Sequence, residues 1–194
     1  ENVNKILNLK IGWEYYKENI GLHFDEICRN LGLEYEKEQI RSMYFEYNKN
    51  NIDKILLIPG VVDLMREIDL HNISWSIITS KPSYTARDIL KYFQLDPDIL
   101  ICADDVKYGK PDPEASTILK NFHKDKCFDS YYYIGDSISD HLFAINSHFK
   151  YIQYRYVSSL DSSEESEVNK KHDSLILNPR PILTDISELL MHIK

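Results

Sequence analysis

Asp136 and Asp140 stand four residues apart in Gly135-Asp136-Ser137-Ile138-Ser139-Asp140 and form the pair best suited to a hard cation. Carboxylate oxygens are the ligands that Mg²⁺ and similar ions take. Upstream, Tyr131-Tyr132-Tyr133-Ile134 is a β-prone run that Gly135 ends. With a helix starting near Ser139, Asp136 falls on the loop at the strand's carboxyl end and Asp140 in the first helical turn. Both carboxylates can then face one point above the sheet edge, where open α/β sheets bind ligands. An acidic first turn is also ordinary helix capping, and the spacing leaves both readings open.

Two further strand ends carry complementary groups. Ser76-Ile77-Ile78-Thr79-Ser80-Lys81-Pro82 is an apolar run ending in hydroxyls. A hydroxyl such as that of Thr79, with exposed backbone N–H groups, suits a phosphate oxygen; capping of the next helix by Ser80 or Ser83 is the plainer alternative. In Lys107-Tyr108-Gly109-Lys110-Pro111-Asp112-Pro113-Glu114, Asp112 before Pro113 reads as a helix start with proline at its first position. Lys110, ahead of that rigid turn, suits a charge aimed at an anion, with a solvated surface lysine as the alternative. A hydroxyl, a lysine and a carboxylate pair at three strand ends together suit a phosphate and Mg²⁺.

These groups need a scaffold, and the apolar periodicity supplies one. Ile6, Leu9, Trp13, Tyr16 and Ile20 recur at helical spacing, as do Ile40, Met43, Tyr44 and Tyr47, so residues 1–54 read as helical. Their aromatics read as a helix–helix core, and His23 as a surface or interhelical residue. After Ile55-Leu56-Leu57-Ile58-Pro59-Gly60 the patterns alternate. Helices are expected over 61–70, 83–93, from 113, over 140–146 and from 185, with strands over 73–79, 99–102, 131–134 and 151–154. A further apolar run covers 175–177. Such alternation implies βαβ units and a parallel sheet covered on both faces. The acidic, serine-rich stretch 158–169 reads as a solvated loop.

Composition narrows the partners. The chain has 194 residues, and its acidic residues outnumber basic ones by 31 to 23, which argues against a general nucleic-acid surface. Cys28, Cys102 and Cys127 show no CxxC spacing, so a reducing cytoplasm is the expected setting. No apolar run approaches transmembrane length, and no membrane partner is expected.

The motif order resembles the haloacid dehalogenase-like superfamily. The second, third and fourth motifs of that family match Thr79, Lys110 in GKPDPE, and Asp136/Asp140 in GDSISD. Pro59-Gly60-Val61 followed by Leu64 is similar to the family's entry to its core helix. The helical segment before it is similar to the cap of the phosphoglycolate phosphatase-like branch. The resemblance covers nearly the whole chain. It implies an α/β fold: a Rossmann-like three-layer core with a parallel sheet over residues 56–194, and an amino-terminal helical cap over residues 1–55. It also implies a Mg²⁺-dependent phosphatase acting on a small phosphorylated metabolite through an aspartyl-phosphate, as a monomer or homodimer. Asp136 would ligate the metal, with Asp140 supporting it through water or by orienting Lys110. Lys110 would offset charge, and Thr79 with the Ser80 N–H would hold the phosphate. A phosphomutase of the same fold and a non-catalytic binding or regulatory domain are the alternatives.

One motif departs from the family. Its first, DxDGT or a close variant, carries the nucleophile and the general acid/base, and no apolar strand here leads into DxD. Asp96-Pro97-Asp98 has the letters but follows a helix and contains a proline. In the family that first strand lies between the strands bearing the Thr79 and Asp136 equivalents. Its absence leaves ladder partners unaccounted for. The expectation is that an amino-terminal segment outside these residues carries it.

Overall fold

Strands and helices alternate from Val61 onward, and every ladder among the described residues is parallel. The computed structural model describes residues 2–12, 15–16, 19, 22–155, 182–183 and 185–193. Trp13 and Ile20, the apolar run 175–177 and the loop 158–169 lie outside them. The helices are α1 (Asn2–Ile6), α2 (Phe24–Asn30), α3 (Lys37–Lys49), α4 (Val61–Leu70), α5 (Ser83–Phe93), α6 (Glu114–Phe122), α7 (Ile138–Ser147) and α8 (Leu190–Ile193). The strands are β1 (Ile77–Ile78), β2 (Leu100–Ile101), β3 (Tyr132–Gly135), β4 (Lys150–Tyr154) and β5 (Ile182–Leu183). This is an α/β, Rossmann-like fold.

The chain divides into two units, Glu1–Leu56 with Ile77–Gly109, and Leu57–Ser76 with Lys110–Lys194. In the first, β1 pairs with β2, Ile77 opposite Leu100 and Ile78 opposite Ile101. Helix α3 packs on α5, where the Phe45 and Tyr84 rings meet edge-on at 4.7 Å. Asp25 at the start of α2 is bridged by Lys37 at 3.3 Å and Arg41 at 2.9 Å. His23, at the amino end of α2, places Nε2 3.2 Å from the Ala103 carbonyl oxygen, an interelement role rather than a ligand's.

In the second unit the sheet order is β3-β4-β5, with Tyr133 opposite Tyr151 and Gly135 opposite Gln153. Ile152, Tyr154 and Leu183 build the core from the sheet, against Leu64 and Ile68 of α4 and Leu189 and Leu190 near the carboxyl end. Leu64 and Ile68 are one helical turn apart, which gives α4 a single buried face. Gly60, at φ 85°, turns the chain into α4 through the left-handed region that glycine tolerates.

The expected strand 73–79 is shorter than its apolar pattern. Only Ile77 and Ile78 join a ladder, whereas Ile73 and Trp75 pack against the core of the second unit. Apolar character there serves packing as well as pairing. Helix α7 begins at Ile138, two residues earlier than expected, because Ser137 caps it.

Candidate active site

The start of α7 is built by a reciprocal cap. Ser137 Oγ accepts from the Asp140 N–H at 3.1 Å, and Asp140 Oδ2 accepts from the Ser137 N–H at 3.1 Å and from the Ser137 hydroxyl at 2.6 Å. Two amide donors that would lack partners at a helix amino terminus are thereby satisfied. The other oxygen does different work. Asp140 Oδ1 accepts from Lys110 Nζ at 2.6 Å and from the Tyr133 hydroxyl at 3.1 Å. Lys110 also donates to the Tyr133 oxygen at 3.2 Å. The capping reading of Asp140 holds, and the same carboxylate also places the Lys110 charge.

Asp140 is 5% exposed, so these partners decide its ionisation. Burial alone would raise its carboxyl, but the Lys110 charge and the hydrogen bonds from Lys110 and Ser137 outweigh it and hold the group below the ordinary carboxylate range. The Tyr133 phenol is pushed up, first by burial and then by the Asp140 charge, which keeps it a donor. Gly135 makes room for the arrangement. A Cβ there would sit 2.4 Å from Asp140 Cβ and 2.6 Å from its Cγ.

Asp136 follows β3 directly and is exposed to solvent. Partial desolvation by the surrounding chain, and then the neighbouring Asp140 carboxylate, push its carboxyl above the ordinary range. An exposed carboxylate at a strand's carboxyl end is a hard oxygen donor, and that chemistry fits Mg²⁺. Asp140 is differently placed, since both its oxygens already accept two donors each. Lys110 precedes a cis Lys110–Pro111 peptide bond, and the Pro111 carbonyl accepts from Asn146 Nδ2 of α7 at 2.9 Å. Asp112 Oδ1 accepts from the Glu114 N–H at 2.9 Å, but the helix begins at Glu114 with Pro113 in the cap position, one residue later than the sequence predicts.

Thr79 and Ser80 belong to the first unit. The Thr79 N–H donates to the Ile101 carbonyl at 2.9 Å, and its Oγ1 accepts from the Lys81 N–H at 3.2 Å, so the chain turns tightly after β1. Neither Ser80 nor Ser83 caps α5. Pro82 holds the cap position, and the Ser83 N–H donates to Asp104 Oδ1 at 2.7 Å while its hydroxyl donates to the other Asp104 oxygen. The cleft of about 400 Å³ in this unit is lined by Phe45, Ile52, Tyr84, Ile89 and Tyr92 among others, and by none of the five site residues. The sequence pattern does not single out Tyr133 or Ser137 as site residues. Tyr133 looks like strand packing by type, although the S-x-x-D spacing of Ser137 and Asp140 is a readable cap signal.

Comparison with known proteins agrees with this architecture. The family model described as haloacid dehalogenase-like hydrolase matches residues 3–154. The chain is 31% identical over 107 residues to the N-acetylmuramic acid 6-phosphate phosphatase of Pseudomonas putida, covering 53% of this chain and 47% of that protein. It is 36% identical over 62 residues to hexitol phosphatase A of Escherichia coli, covering 31% of this chain and 29% of that one. The matches thus span half or less of these relatives' lengths. Among solved structures, a hydrolase from Pseudomonas syringae aligns over 98% of this chain and 86% of its own, with TM-score 0.76 and 24% identity. A phosphonoacetaldehyde hydrolase-like protein from Oleispira antarctica aligns over 99% and 82%, with TM-score 0.77 and 14% identity. At such identities the structures speak to fold, and the match over residues 3–154 speaks to descent: the chain belongs to the haloacid dehalogenase-like hydrolases.

Proposed function

We propose that the whole protein is a Mg²⁺-dependent phosphatase that hydrolyses a small phosphomonoester. The observation that carries this reading is the buried Lys110–Asp140 pair at 2.6 Å, set beside the Asp136 carboxylate at the end of β3. Asp136 would hold the ion. Bound there, Mg²⁺ would neutralise charge on the transferring phosphoryl group. Asp140 fixes Lys110, and the Lys110 ammonium offsets negative charge that develops in the transition state, in a setting where water competes weakly. Thr79 and the Ser80 N–H would take a phosphate oxygen. The attacking carboxylate would be the first-motif aspartate of the family, carried by residues outside these 194. Residues 1–55 would serve as a cap that closes over substrate.

Both curated relatives are phosphatases, one of N-acetylmuramic acid 6-phosphate and one of a hexitol, which makes sugar and hexitol phosphates the first substrates to assay. A cytoplasmic setting rests on the cysteine pattern; among the described residues no helix is long and apolar enough to cross a membrane. The test is release of inorganic phosphate from p-nitrophenyl phosphate and from a hexitol phosphate by the whole protein. Turnover that needs Mg²⁺ and stops with a chelator is expected. No turnover of either ester, or turnover indifferent to the chelator, overturns the reading.

A further inference from the structure

Tyr151 is a buried residue of β4 that lies opposite Tyr133 in the ladder. Its hydroxyl donates to the Gly135 carbonyl at 3.0 Å and lies 3.5 Å from the Ser137 carbonyl. These two carbonyls bracket Asp136. The phenol therefore grips the backbone on both sides of the residue. A phenol has one proton, so the shorter bond to Gly135 is the principal one and the longer contact to Ser137 is secondary. The Ser137 carbonyl also accepts from the His141 N–H at 3.2 Å, which ties it to the first turn of α7.

The phenol is itself held in place. The His141 ring packs on the Tyr151 ring at 4.9 Å, nearly edge-on, and His141 is also buried. On the neighbouring strand the Tyr133 hydroxyl engages Asp140 and Lys110. Paired tyrosines thus divide the labour: one sets the buried ion pair and the other sets the loop that presents Asp136. A carboxylate at a strand end keeps its aim only if its backbone does, and a loop fixed by a strand side chain is held more rigidly than one fixed by its own turn.

We propose that Tyr151 is a positioning residue for the Asp136 cation site. The proposal rests on the reading that Asp136 holds a divalent cation. The test is Mn²⁺ binding to the whole protein, followed by electron paramagnetic resonance of the free ion, with no turnover required. Wild type, Asp136→Asn, Tyr151→Phe and the control Tyr132→Phe, whose hydroxyl accepts from Lys150 rather than holding the Asp136 loop, are compared, and circular dichroism checks the fold of each.

Asp136→Asn should lose binding. Tyr151→Phe should raise Kd by about tenfold or more, in the range expected for a group that supports a ligand rather than ligating. Tyr132→Phe should leave Kd unchanged. Replacement of Tyr151 by p-aminophenylalanine, which returns a donor to the same place, should restore wild-type Kd, and it carries the test if Tyr151→Phe fails to fold. Loss in Asp136→Asn with wild-type binding in Tyr151→Phe overturns the role of Tyr151 and leaves the metal reading standing. A raised Kd in the p-aminophenylalanine protein also overturns it. Wild-type binding in Asp136→Asn overturns the metal reading and this proposal with it.

Discussion

Two helices in this chain begin with a serine joined to an aspartate, and the two junctions do different things. At α7, Ser137 and Asp140 are three residues apart, and the aspartate is buried with Lys110 and Tyr133 on its second oxygen. At α5, Ser83 reaches Asp104, 21 residues away and exposed to solvent. Burial raises the Asp104 carboxyl, but the Ser83 hydrogen bonds together with a backbone N–H and the Arg87 charge outweigh it and hold the group below the ordinary carboxylate range, and water remains an alternative partner. The same two residue types therefore make a solvated link in one place and a charged, desolvated site in the other. Burial and a third partner separate them, not the identity of the pair.

The comparison can be broken most directly at the ion pair. Asp140→Ala leaves the Lys110 ammonium buried without its counter-charge, and a loss of about 3 to 5 kcal/mol is expected in urea unfolding. A loss no larger than that of the exposed Ser83–Asp104 link would erase the distinction. Gly135→Ala should follow with about 1 to 3 kcal/mol, because the added methyl must displace Asp140 and disturb cap and pair together. Thermal unfolding of that variant checks it, and a wild-type midpoint would mean the loop yields freely.

Acid sharpens the same contrast. With the Asp140 carboxyl depressed in the fold from an ordinary value of 3.8, its stabilisation is fully present above that value. It drains away as pH falls through the lower folded value, since the unfolded chain then binds the proton more readily. Urea midpoints taken from about pH 5 down to about pH 2 should fall less steeply in Asp140→Asn than in wild type. Parallel curves would remove Asp140 as a source of acid sensitivity. The smallest effect belongs to α5: Asp104→Asn should cost about 0.5 kcal/mol or less, because water replaces an exposed partner.

The two junctions also differ in how much of them could be read in advance. Asp136, Asp140 and Lys110 were legible because each sits where a local pattern changes, from strand to loop or from loop to helix. Helices 61–70 and 83–93 were legible for the same reason, as their periodicity is contained within their own residues. The Ser83–Asp104 bond joins residues too far apart for spacing to signal. Strands 73–79 and 99–102 are shorter than their apolar patterns, because a ladder depends on a partner and the apolar residues Ile73 and Trp75 join a core instead. Tyr133 was hidden by its type, since a tyrosine in a strand run reads as packing until its hydroxyl is placed. That Asp140 spends both oxygens on protein donors is likewise invisible in the sequence, and it fits the Lys110-orienting role that the resemblance implies.

That division between a carboxylate that builds and a carboxylate on an exposed residue is best tested with Asp136→Asn in the whole protein. Its thermal unfolding and its Mg²⁺-dependent hydrolysis of p-nitrophenyl phosphate should be read on one sample. Removal of a charge that repels Asp140 predicts an unfolding temperature equal to or above that of wild type, with hydrolysis abolished. Hydrolysis at the wild-type rate, or a stability loss as large as that of Asp140→Ala, would contradict the account.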